Sequence, residues 1–133
     1  MSSVLSMKVS DFMKKAITTF PNVTIAEIAK IMYENRIGSV VITSPDDKVL
    51  GIFTERDLTR VVAEGVPLDK HVGDVMTKNP VLITQSEGLS KAISLMYEKN
   101  VRHLPVVDNE GKIKGIISVR DLTSILNKLT SLE

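Results

Sequence analysis

The chain has 133 residues, of which 43% are hydrophobic and 25% charged, with 17 basic against 16 acidic side chains and no cysteine. Such fractions are those of an ordinary globular domain rather than a disordered, collagen-like or coiled-coil chain. The absence of cysteine excludes a disulfide scaffold, a thiol nucleophile, Cys-ligated zinc and Fe–S clusters.

Taken in chain order, the sequence says one thing twice. Val9-Ser-Asp11-Phe-Met13 opens the first half, followed by a short predicted strand, Ile17–Thr19. A helix is expected over Ile25–Asn35: Thr24 and Glu27 have capping-box spacing, and Ile25, Ile28 and Met32 fall on one face. The β-rich runs Ser39–Thr43 and Val49–Thr54 flank Ser44-Pro-Asp-Asp47, turn chemistry that predicts a hairpin. A helix carrying Leu58, Val61 and Val62 follows, then a connector, Ala63–His71, with Gly65, Pro67 and Asp69. The order then recurs. Val72-Gly-Asp74-Val-Met76 precedes a strand at Val81–Thr84, a helix at Leu89–Asn100, runs at His103–Val107 and Ile113–Ser118 around Asp108-Asn-Glu-Gly111, and a helix with Leu122, Ile125, Leu126 and Leu129.

At an offset of 64, Ile25–Thr59 falls on Leu89–Thr123 without a gap, and ten of the 35 positions are identical; unrelated stretches would give about two. The period exceeds that of solenoid repeats, so the chain is a tandem pair, with repeats over 8–65 and 72–130. Each is strand–helix–strand–strand–helix, an α/β (α+β) unit, and the two are expected to pack sheet against sheet with pseudo-two-fold symmetry.

The most informative duplicated segment reads Gly51-Ile-Phe-Thr54-Glu-Arg56-Asp57-Leu-Thr in one copy and Gly115-Ile-Ile-Ser118-Val-Arg120-Asp121-Leu-Thr in the other. Helix capping accounts for the spacing: Thr54 or Ser118 as N-cap, with Asp57 or Asp121 facing the positive helix end. A ligand accounts for it too. A strand-to-helix junction offers N–H groups to an anion, a hydroxyl can bond phosphate, and a carboxylate can accept both hydroxyls of a ribose. Arg56 and Arg120 beside those acids either reach phosphate or pair with a nearby carboxylate. Met13, Met32, Met76 and Met96 are expected to fill core. The Leu122–Leu129 stripe is available for self-association.

With these motifs, together with Asn79-Pro80-Val81 and Arg102-His103-Leu104-Pro105-Val-Val-Asp108, residues 8–130 resemble a pair of CBS domains, sometimes called a Bateman module. The resemblance implies a regulatory module that binds an adenine nucleotide, commonly AMP, ADP or ATP and sometimes S-adenosylmethionine, in two clefts between the repeats. It assigns Thr54 and Asp57 to one cleft with Val81, Leu82 and Ile83, closed by Arg102, His103 and Pro105. It assigns Ser118 and Asp121 to the other with Ile17, Thr18 and Thr19, closed by Gly38, Ser39 and Val40. The strand residues would hold the base, the acids the ribose, and Arg102 and His103 the phosphate. Gly38-Ser39 replaces Arg102-His103 in the second cleft, a departure from the fuller pattern that bears on its occupancy. The resemblance also implies a homodimer assembled through helices.

Catalysis finds little support. Thr54, His103 and Asp57 superficially suggest a nucleophile, base and orienter, yet no Gly-x-Ser-x-Gly elbow, His-Glu-x-x-His or Gly-rich Lys loop occurs. No catalytic residue and no metal site is expected. The alternative is a nucleic-acid or protein-interaction module on the same fold. Nucleic acid is disfavoured: residues 1–71 carry nine basic and nine acidic side chains and 72–133 carry eight and seven, with no Lys/Arg block and no Trp. No apolar run approaches the ~20 residues of a membrane span, and Met1–Ser10 lacks a signal core. A cytoplasmic protein acting on an unknown partner in trans is therefore expected.

Overall fold

A computed structural model describes residues 2–130. The chain forms two compact units, Ala16–Pro80 and, from both ends of the sequence, 1–15 with 81–133. These are not the sequence repeats. Each opening segment packs with the sheet and helices of the other copy.

The central unit contains β1 (Thr18–Thr19), α2 (Ile25–Asn35), β2 (Ser39–Thr43), β3 (Val49–Thr54), α3 (Glu55–Ala63) and β4 (Thr77–Lys78), following a short α1 (Ser2–Leu5) that belongs to the other unit. Its sheet runs β1-β2-β3-β4. β1 is parallel to β2, and the other pairs are antiparallel. Every residue of β2 is buried, as expected of an interior strand covered on both faces. Ile25, Ile28 and Met32 of α2 meet Val40, Ile42, Phe53, Val61 and Val72 in one core. The Thr24–Glu27 capping box forms, and the next N–H donors of α2 go to the carbonyls of Lys70 and Leu68. Arg36, in the left-handed region at φ 53°, ends the helix by donating to the Met32 and Tyr33 carbonyls.

The terminal unit repeats this plan with β5 (Ile83–Thr84), α4 (Leu89–Lys99), β6 (His103–Val107), β7 (Ile113–Ser118) and α5 (Val119–Thr130). Its sheet runs β5-β6-β7. Leu89, Ala92 and Met96 meet Ile83, Leu104, Val106 and Ile117, and Val9 from the far end of the chain completes the cluster. The backbone records the exchange. Val9 N–H donates to Glu87 O at 2.7 Å, and Val72 N–H donates to Val23 O at 2.7 Å. Lys14 and Ile116 exchange hydrogen bonds of 2.9 and 2.8 Å, where β4 pairs with β3 in the central unit.

Glycine permits that approach. A Cβ on Gly115 would lie 2.7 Å from Lys14 O, and one on Gly51 would lie 2.8 Å from Thr77 O. Both hairpins turn as the sequence predicts, with Asp47 (φ 66°) and Gly111 (φ 81°) in the left-handed region. In the second, Asp108 accepts from the Lys112 and Glu110 N–H groups. Those bonds, the Lys112 bond foremost, hold its carboxyl below the usual range. The parallel strands are shorter than predicted, because register with β2 and β6 holds over only two residues; Ile17, Val81 and Leu82 lie outside them. No helix among the described residues is long and apolar enough to cross a membrane.

Candidate functional site

The duplicated motif builds the same junction in each unit. In the central unit β3 ends at Thr54 and α3 begins at Glu55. Thr54 N–H and Oγ1–H donate to Asp57 Oδ2 at 2.9 and 3.1 Å, and Asp57 N–H donates to Thr54 Oγ1 at 3.3 Å. In the terminal unit Ser118 N–H and Oγ–H each donate to Asp121 Oδ2 at 2.9 Å, and Asp121 N–H returns to Ser118 Oγ at 3.2 Å. The capping account is thus correct in both copies. It uses one carboxylate oxygen of each acid, which leaves Oδ1 to other partners.

Those partners differ. Asp57 Oδ1 accepts from Thr77 Oγ1 at 2.8 Å and faces Arg60 Nη2 at 3.5 Å. Arg60 is itself anchored on Val75 O at 2.6 Å and Glu64 at 3.3 Å. Asp121 Oδ1 meets Lys14 Nζ at 2.8 Å. Thr77 and Lys14 are equivalent, each following the methionine of an opening segment, whereas the counterpart of Arg60 is Ser124. Both acids are nearly buried, at 7% and 6% exposure, and a buried carboxylate needs a compensating donor or cation. One unit supplies the cation from its own helix and the other from the exchanged segment. Sequence reasoning singled out none of Lys14, Thr77 and Arg60. The signal was present in the register of the two opening segments, which sets Lys14 on Thr77.

The remaining expected residues divide between the units. In the central one, Gly38 accepts the first N–H of α3 (Glu55) at 3.1 Å, and Ser39 pairs with Thr54 across the β2–β3 ladder. Val40 is fully buried in the core, so its side chain is committed to packing. Ile17 accepts from Val41 N–H at 3.0 Å, Thr18 is exposed and Thr19 half-buried. In the terminal unit Arg102 O accepts the Val119 N–H at 3.0 Å, with the Arg102 side chain exposed. His103 pairs with Ser118 across the β6–β7 ladder and is half-buried. Pro105 and Ile83 are buried, while Val81 is half-buried and Leu82 exposed. Arg56 and Arg120 lie exposed in the first turns of α3 and α5. Gly38–Ser39 and Arg102–His103 therefore occupy equivalent places beside the junction of their own unit.

A groove of about 620 Å³ on the central unit, lined by Met32, Tyr33, Arg36, Ile37 and Leu58 among others, includes none of the expected ligand residues. No group of three or more His, Asp or Glu among the described residues is placed to hold a metal ion.

Comparison with known proteins gives the same duplication. The CBS domain family matches residues 9–64 and 72–128. An uncharacterized 17.7 kDa protein of Acidianus ambivalens is 41% identical over 106 residues, 80% of this chain and 64% of that one. The chain thus spans just under two thirds of that curated relative's length. Among solved structures, a CBS domain protein from Pyrobaculum aerophilum complexed with AMP is 28% identical, with a TM-score of 0.84 over 94% of this chain and 99% of that one. A CBS domain pair in complex with 5′-methylthioadenosine and S-adenosyl-L-methionine is 27% identical, with a TM-score of 0.85 over 92% and 97%.

Proposed function

This chain belongs to the CBS domain family, and on that premise we propose that it is a regulatory module that binds an adenine nucleotide (AMP, ADP or ATP) and acts on a partner in trans, without catalysis of its own. The observation that carries the reading is the pair of equivalent junctions, Thr54–Asp57 and Ser118–Asp121. Each has a hydroxyl, a first-turn arginine and a carboxylate with one oxygen held by the cap. Such a junction presents an acceptor for ribose hydroxyls beside the positive end of a helix, a combination that suits a nucleoside phosphate. The similarity over nearly the whole chain to a protein solved with AMP supports the ligand class.

Residue by residue, the proposal gives ribose to Asp57 and Asp121 and phosphate to Arg102 and His103. The base goes to the backbone and apolar groups of 17–19 and 81–83, with Gly38, Ser39 and Val40 closing the Asp121 site. S-adenosylmethionine is the competing ligand. Calorimetric titration with AMP, ADP, ATP and S-adenosylmethionine tests the reading. Saturable binding of a phosphorylated adenosine, with no phosphate released from ATP over hours, is the expected result. Heat for none of the four overturns it.

The protein is further proposed to be a cytoplasmic homodimer, two-fold symmetric as most small assemblies are. Tyr33 and Tyr97, equivalent residues on α2 and α4, are 85% and 87% exposed. Aromatic rings so displayed on duplicated helices suit a helix-mediated contact. A solution mass equal to the 14.6 kDa monomer at micromolar concentration contradicts the dimer.

A further inference from the structure

The two junctions share their caps and differ in where the cation beside the acid comes from and how closely it approaches. At Asp57 the donor to Oδ1 is the neutral hydroxyl of Thr77, and the nearby Arg60 guanidinium is held by Val75 O and Glu64. At Asp121 the corresponding position is Lys14, whose ammonium lies 2.8 Å from Oδ1 while its side chain remains 69% exposed. A cation committed to a buried carboxylate normally loses most of its solvent contact. Lys14 keeps it: its ammonium pairs with Asp121 while most of its side chain stays in contact with water.

We propose that Lys14 sets the charge preference of the Asp121 site, favouring an anionic 5′-substituent on the bound adenosine over a neutral or cationic one. The inference rests on the adenine-nucleotide reading given above and adds to it a residue that the ligand-binding motif does not contain. A ribose held by Asp121 brings its 5′-substituent within several ångströms of that carboxylate and hence of the ammonium. A phosphate there gains attraction, adenosine gains none, and S-adenosylmethionine, whose sulfonium and α-ammonium outweigh its carboxylate by one charge, is repelled on balance. For unit charges about 6 Å apart near a protein surface, the effect on affinity is about tenfold or more. At Asp57 the Thr77 hydroxyl is neutral and the Arg60 guanidinium, 3.5 Å from Oδ1, is shared with Glu64 and Val75 O, so the two sites should rank ligands differently.

The test is calorimetry with AMP, adenosine and S-adenosylmethionine on the wild type, Lys14→Thr, Lys14→Gln and Lys14→Arg. Threonine is the residue the equivalent place already holds, and glutamine keeps length and a donor without charge. In one of the two binding events, the AMP-to-adenosine affinity ratio is expected to fall about tenfold in the Thr and Gln variants and to stay at the wild-type value in the Arg variant. The salt dependence of AMP binding in that event should fall with it, and S-adenosylmethionine should bind more tightly. If the wild type binds AMP and the ratio is unchanged in whichever of the Thr and Gln variants folds, the role of Lys14 is refuted while the nucleotide reading stands. If the wild type binds none of the three, the nucleotide reading fails and takes this inference with it.

Discussion

Lys14 Nζ lies 2.8 Å from Asp121 Oδ1, although the two residues come from opposite ends of the chain and from different copies of the repeat. The contact exists because the opening segment of the first repeat is built into the unit formed by the second. The same exchange sets Thr77, from the second opening segment, on Asp57 of the first repeat. Each capping acid is therefore completed by a residue from the opening segment of the other copy. The copies differ there, lysine against threonine, and again at Arg60, whose counterpart is Ser124, while both caps form.

Because Val9 packs among Leu89, Met96 and Leu104, Val9→Ala should loosen the terminal unit and not the central one. Losing two buried methyl groups and leaving a cavity should cost about 2 kcal/mol. Hydrogen exchange checks this: amides of α4 and β6 should lose protection before those of α2 and β2. Earlier loss in α2 and β2 would mean that the opening segment stays with its own repeat.

Gly115→Ala should destabilise the protein by roughly 1–3 kcal/mol, in the range of other overpacking changes. The new Cβ would meet Lys14 O at 2.7 Å, and a backbone carbonyl in a hydrogen-bonded bridge cannot turn aside as a side chain does. Gly65→Ala is the comparison. Nothing lies within 4 Å of its Cβ, so only the positive φ of 69° opposes it, at about 1 kcal/mol. Thermal melts of the two variants should separate by several degrees if the close approach is real.

Most of the secondary structure was legible because it rests on local signals. The helix over Ile25–Asn35 follows from a capping box and an apolar face, and both hairpins from their turn residues. The exchange of opening segments was not legible. Val9 and Val72 are equivalent, so each satisfies either core equally well on pattern alone, and only three-dimensional connectivity decides between them. The strand Thr77–Lys78 escaped for the same reason, since its two residues are defined by pairing with β3 and carry no alternation of their own. At the candidate site the cap and the acid are written in a four-residue spacing. Their counter-charge comes from Lys14 or Arg60, whose relation to the acids is non-local in one unit and local in the other.

An adenine nucleotide should raise the melting midpoint without being consumed. A ligand that binds only the folded protein, present at about 100 times its dissociation constant, adds about 2.7 kcal/mol. For a chain of this size that corresponds to several degrees. Scanning at fixed protein concentration with millimolar AMP, ADP and ATP checks it, and an unchanged midpoint with all three counts against nucleotide sensing.

Arg102→Ala and Asp57→Ala should weaken binding in different ways. The Arg102 side chain is exposed, and its backbone carbonyl, which holds the first N–H of α5, is untouched by the substitution. The fold should therefore survive, and the loss should fall on the phosphate. Charge-assisted bonds of a guanidinium to phosphate contribute roughly 1.5–3 kcal/mol, so AMP should lose tenfold or more while adenosine is little changed. Asp57 is a different case. Its carboxylate closes the cap of α3 through Thr54 and receives Thr77, so alanine costs about 1 kcal/mol of stability as well as the ribose contact. AMP and adenosine should then weaken together, because they share the ribose. Asp121→Ala opens the equivalent cap but should leave the event at the Asp57 site nearly intact. That event is expected to be the tighter, because the Arg102 and His103 assigned to it have only Gly38 and Ser39 as counterparts at the other site. Titrations of the three variants with AMP and adenosine, each at a temperature below its own melting midpoint, separate these outcomes. If Asp121→Ala removes the tighter event and Asp57→Ala spares it, the two acids have exchanged the roles assigned to them.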